Sequence, residues 1–142
     1  MYFRPGGLNQ KEEFAYSYLT AIQYLYLKSE DKNILNFFIK NNYRNIAVCG
    51  INDFSYILAN DLKGSNIEIK YFIDKNYLKY KFGINNIPVI DSNSVMNYPK
   101  VDIYVITSTY YFNNIMDNLI MLGINAEKII NLNEIVFGME CD

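Results

Sequence analysis

The chain contains no histidine. That absence removes Ser-His-Asp and Cys-His nucleophilic machinery, histidine metal sites and the commonest general base near neutral pH. Cysteine is almost as scarce. Cys49 falls inside an apolar run and Cys141 is next to last, so the pair forms no disulfide framework and a reduced compartment is expected. No stretch reaches the roughly 18 consecutive apolar residues that cross a bilayer. The opening MYFRPGGLNQ has neither a hydrophobic signal core nor a cleavage pattern. A cytoplasmic protein without a membrane span is expected. Charge of one sign is also lacking: 13 Lys and Arg against 15 Asp and Glu leave a net charge of −2 and no basic run. Nucleic acid and anionic membrane surfaces are therefore poor partners. No pair or cluster of Asp and Glu has metal or glycosidase spacing, and Asp117 and Glu127 read as solvated charges.

What is present suits one domain. A chain of 142 residues can bury a core without disulfide or metal staples. Its 14 tyrosines and 9 phenylalanines are scattered without arginine-rich neighbours. Compositional bias from an AT-rich genome explains them better than an RNA-stacking platform does. Pro5, Gly6 and Gly7 disfavour regular structure at the start. From Lys11 to Lys28 the residues Phe14, Tyr18, Ala21, Ile22 and Leu25, flanked by Tyr24 and Tyr26, recur at helical spacing. Lys11, Glu12 and Glu13 lie in the first turn; the acidic pair there and Lys28 at the far end complement the helix dipole. A second helix is expected over Asp31–Lys40, with Ile34, Leu35, Phe38 and Ile39 inside. Residues 1–44 thus read as a tail and helical hairpin ahead of an α/β unit over 45–142.

From Asn45 onward strands and helices alternate. Strands are expected at Ile46–Cys49, Ile67–Ile73, Pro88–Ile90, Asp102–Ile106 and Lys128–Leu132. Helices are expected at Phe54–Leu62, where Ile57, Leu58 and Leu62 share a face and Gly64 ends the run, and at Phe112–Leu122, ending at Gly123. Asp91 or Ser92 can cap a short helix, and a helical turn closes the chain at Asn133–Val136. Such alternation implies a doubly wound, mainly parallel sheet of about five strands built by right-handed crossovers. Ligands gather outside the carboxyl ends of such strands, where strand order reverses. Here that place lies between the strands ending at Cys49 and Ile106.

The stretch NIAVCGIND, Asn45–Asp53, occupies the position of a phosphate-binding turn. A dinucleotide site wants G-x-G-x-x-G opening a helix and an acidic residue about 20 positions on. Gly50 can make the tight turn, but Asn52 stands where a glycine lets pyrophosphate approach the backbone. Ser55, at the third glycine position, is small enough for close helix–strand packing. Asp53, at a helix start, caps the amides and satisfies the dipole that would otherwise attract phosphate, and its charge repels an anion. Asp74 ends the second strand at the distance suited to a ribose-binding carboxylate, although acidic residues at strand exits are also common turn formers. Thr107, Ser108, Thr109 and Tyr110 follow the strand across the reversal. Their hydroxyls can contact a phosphate, ribose or sugar, or cap the next helix. Tyr77-Leu78-Lys79-Tyr80-Lys81 lacks the Tyr-x-x-x-Lys spacing of short-chain dehydrogenases. A methyltransferase fold needs two further strands after the fifth. Cys49, as a buried strand thiol, reads as an inert small hydrophobe.

The stretches NNYRNIAVCGINDFSYILANDLK, IEIKYFIDKN and VDIYVITSTYYFNNIMDNL resemble Rossmann-like domains of bacterial polysaccharide-biosynthesis proteins, found alone or attached to glycosyltransferases. In those domains the first block usually runs I-A-I-Y-G-x-G-x-x-G, with glycines at the positions of Asn52 and Ser55, and a similar lead-in segment precedes it. The resemblance spans most of the chain and carries over Gly50, Asp74 and the Thr107–Thr109 segment as a pocket. It implies an accessory module for cell-surface glycan assembly that is non-catalytic or holds a nucleotide or nucleotide-sugar weakly. Two other readings stand beside it. One is an NAD(P)-dependent oxidoreductase or epimerase-type enzyme. The other is an interaction module whose helices over residues 11–40 form a homodimer or dock a glycan-biosynthesis enzyme.

Overall fold

A computed structural model describes residues 10–30, 34–108 and 112–139, with side chains of the first helix described from Tyr18 onward. Phe14, Lys11, Glu12 and Glu13 lie outside the described side chains, and Thr109, Tyr110 and Cys141 outside the described residues. Two helices, α1 (Gln10–Ser29) and α2 (Ile34–Lys40), precede an alternating series. It runs β1 (Asn45–Cys49), α3 (Asp53–Leu62), β2 (Glu68–Ile73), β3 (Val89–Ile90), β4 (Ile103–Ile106), α4 (Phe112–Met121), β5 (Ile129–Asn131) and α5 (Leu132–Gly138). Short 3₁₀ turns at Tyr77–Tyr80, Ser92–Asn97 and Ala126–Lys128 fill the connections. Every strand pair is parallel and the sheet order is β3-β2-β1-β4-β5. This is the doubly wound order, and it reverses between β1 and β4, where the strand pattern places the ligand crevice.

Burial alternates along β1. Ile46 and Val48 face one layer, Ala47 and Cys49 the other, and all four are fully buried. A central parallel strand covered on both faces needs such a continuous apolar run. One layer is built from α1, α2, α3 and α5, through Tyr24, Leu27, Phe38, Leu58 and Ile135. The other is built from α4 and the Ser92–Asn97 turn, through Leu119 and Val95. At the amino ends of the strands, Asp102 Oδ2 accepts the Arg44 and Asn45 amides, each at 2.9 Å, and pins the starts of β1 and β4 together.

The helix α1 faces the core with a different stripe from the one its spacing suggested. Thr20, Tyr24 and Leu27 are buried, whereas Tyr18, Ile22 and Leu25 are exposed. The helix is apolar on two sides, so periodicity alone could not choose between them. Specific bonds make the choice: the Tyr24 hydroxyl donates to Asp61 Oδ2 of α3, and Lys28 Nζ reaches Asp61 Oδ1 at 3.3 Å. Burial, then the Asp61 hydrogen bond and charge, hold the Tyr24 phenol far above its ordinary pKa, so it stays a donor. In α2, Ile34 and Phe38 point inward as expected, but Ile39 is exposed. Similarly Ile57 of α3 is half-exposed, and Ser55 takes the inward place beside Leu58 and Leu62.

Candidate functional site

The turn after β1 is held from three directions. Gly50 adopts φ +98°, and a Cβ there would sit 3.2 Å from Thr107 Oγ1, so both conformation and space call for glycine. Its N–H donates to Ile73 O at 2.8 Å, which keeps the turn level with the end of β2. The next amide, Ile51 N–H, donates to Asp74 Oδ2 at 2.8 Å. Asp74 Oδ1 accepts the Asn76 amide at 2.8 Å, so one carboxylate ties the β1 turn to the β2 exit.

Asn52 is the N-cap of α3. Its backbone is extended, its Oδ1 accepts Ser55 N–H at 3.1 Å, and Ser55 Oγ accepts Asn52 N–H at 2.8 Å. This reciprocal box satisfies amides that a glycine-rich turn would leave for a phosphate. Asn52 Nδ2 also donates to Thr107 O at 3.2 Å and links the turn to the exit of β4. Asp53, by contrast, is an exposed first-turn residue of α3. The capping expected of Asp53 belongs to Asn52, because the chain is already helical at Asp53. Its charge still complements the dipole.

Thr107 is buried, and its hydroxyl is directed at Gly50 O, 2.8 Å away, and Cys49 O, 3.2 Å away. It is a cross-strand tie rather than a group presented to a ligand. Ser108 lines the crevice, and Thr109 lies outside the described residues. Of the residues the sequence singled out, Gly50, Asn52, Asp74 and Ser108 border one cavity of about 640 Å³ over the carboxyl ends of the strands; Asp53 and Thr107 do not line it.

Sequence reasoning missed the rest of that wall. Lys75 and Asn76 extend the β2 exit, Asp91 and Ser92 the β3 exit, and Asn114 and Asn118 come from α4. The last two are separated by one helical turn on one face, the single signal that could have found them. Ile51, Ile73, Ile115 and Leu119 give the cavity an apolar floor. Its polar groups are mostly carboxamides, hydroxyls and two carboxylates, with one lysine. That set suits ligand hydroxyls, which both donate and accept, better than a phosphate, which needs positive charge and unpaired amides.

A pyrophosphate does not fit the turn. The Ile51 amide is held by a carboxylate, the α3 cap is closed by Asn52 and Ser55, and Asp74 adds negative charge where the anion would lie. Cys49 is fully buried beneath the turn, and burial pushes its thiol up to about 12, so it stays protonated and unreactive. Among the described residues no His/Cys/Asp/Glu cluster could hold a metal ion. No described helix is long and apolar enough to cross a membrane.

No curated protein matches the chain. A family model does: the one described as C2185-like, N-terminal, matches residues 42–130, which run from just before β1 into β5 and include every residue named above as lining the cavity. With more than half its length matched, the chain belongs to the C2185-like N-terminal family.

Proposed function

We propose that the protein is a Rossmann-like binding module of cytoplasmic, cell-surface glycan assembly, with no catalysis of its own. It holds the uncharged part of a nucleotide-type ligand, a ribose or a sugar, in the crevice at the β1–β4 reversal, and the phosphates point outward to solvent. One observation carries this reading: the Asp74 carboxylate occupies the Ile51 amide inside a cavity lined with carboxamides and hydroxyls. The glycan context rests on the resemblance of the strand and turn segments to polysaccharide-biosynthesis domains.

A thermal-shift panel of UDP- and GDP-sugars, the free nucleosides and sugars, NAD(H), NADP(H), CoA and S-adenosylmethionine tests it. A bound compound at 100 times its Kd adds about 2.7 kcal/mol of stability. A nucleotide-sugar and its phosphate-free nucleoside or sugar should both stabilise the protein, with similar affinity. Replacing Asn114 and Asn118 together by alanine should weaken that binding about tenfold or more, since two hydrogen bonds of about 0.5–1.5 kcal/mol each are lost. Both side chains are solvent-exposed in the open crevice, so the unliganded Tm should stay nearly unchanged. Stabilisation by NAD(H) that vanishes in Asp74→Ala would point to the dinucleotide enzyme instead, and silence across the panel would remove the binding reading altogether.

A further inference from the structure

Among the described side chains of α1, from Tyr18 onward, one side packs on the core through Thr20, Tyr24 and Leu27, and the opposite side is exposed. Tyr18, Leu19, Ile22, Leu25 and Tyr26 are 63%, 55%, 47%, 65% and 51% exposed. At 100° per residue they fall within about 120° of the helix circumference, a stripe as wide as one that faces a protein core. No charged residue falls in that arc between Tyr18 and Ser29, because Lys28 turns toward Asp61 at the edge of the core. Tyr18, Ile22, Leu25 and Ser29 are spaced four, three and four apart, the spacing of a short helix–helix seam.

We propose that this stripe is a two-fold interface at which α1 pairs with α1 of a second copy of the same chain. The occupant follows from the surface itself. A charge-free, apolar stripe with hydroxyls at its margin is complementary to its own image, and an isologous pair places one patch on the other. The area allows it: five large side chains at these exposures present roughly 600 Å² per copy, and a pair that covers most of it buries roughly 1,000 Å², the size of a small specific interface. The helix is braced for the role from behind by the Tyr24 and Lys28 contacts to Asp61, so pairing would not require α1 to leave its own core. The crevice and this stripe are built from different elements, so the two proposals stand or fall separately.

The test is mass in solution for the full chain, by sedimentation or light scattering across micromolar to high micromolar concentration. The expected mass is twice the 16.6 kDa of one chain, falling toward one chain on dilution. Ile22→Glu with Leu25→Glu should give a single chain at every concentration, with the circular dichroism of the parent. As a second measure that keeps the stripe apolar, Ile22→Cys in a Cys141→Ser background should cross-link to a dimer under mild oxidation. Met121→Cys, on the exposed end of α4, should cross-link at least tenfold more slowly. A mass of one chain throughout, a dimer that persists in the double glutamate variant, or equal cross-linking at both cysteines would overturn the proposal.

Discussion

At Asn52 a side chain stands where a dinucleotide fold needs bare backbone, and it is engaged at both ends. Its oxygen caps α3 and its nitrogen reaches across to Thr107 O. Asn52→Ala removes both bonds and should cost about 1–2 kcal/mol, read as a lowered midpoint in urea with an unchanged slope. Asp53→Ala, one residue on, loses only a screened dipole interaction and should cost less than about 1 kcal/mol in the same measurement. The turn was legible in the sequence as a turn, because an apolar run ending at Gly50 before a polar helix start allows little else. Which of the two adjacent polar residues would cap it was not legible. Asn and Asp are nearly equivalent caps, and a one-residue shift of the helix start decides between them. The role of Thr107 was hidden for a related reason: a hydroxyl at a strand exit serves a ligand or a neighbouring carbonyl equally well, and only the placement of Gly50 O settles it.

Among the elements, the strands were the most readable, since short apolar runs separated by helical segments specify parallel pairing whatever their exact ends. The side walls of the crevice were not. Asn76, Asp91 and Asn118 come from two separate connections and a helix face, and nothing local marks them as neighbours. The orientation of α1 was equally out of reach, because both of its sides are apolar and the contact with Asp61 spans 37 positions. The joint between the starts of β1 and β4 has a pH signature. The Asn45 amide, together with the Arg44 amide and the charges of Lys128 and Arg44, outweighs partial burial and holds the Asp102 carboxyl below its ordinary value. A depressed folded-state pKa contributes stability that is present above the unfolded value near 3.9 and lost as pH falls through the folded one. Asp102→Asn should therefore be the less stable protein at pH 7, by under about 1 kcal/mol because the site is solvent-screened. The difference should shrink below about pH 4. Urea titrations of both proteins at pH 7 and at pH 3 measure it.

Taken as a whole, the molecule is one sheet between two helical layers, with its thiol probe at the centre. Cys49 lies on the central strand with no exposed surface. In a Cys141→Ser background its alkylation should be negligible in the native state and should rise along the same urea curve as circular dichroism. Labelling that ran ahead of the unfolding curve would show that the β1 turn opens locally. The outermost strands have a further consequence. The sheet ends on one side with the two residues of β3 and on the other with the three of β5. Neither flank presents a ladder long enough to recruit another strand, and short borders of this kind guard against open-ended stacking. Among the described elements the α1 pairing proposed above is then the route to self-association, and it uses up the patch that causes it. Concentrated solutions should accordingly hold a saturating, finite species and not fibres.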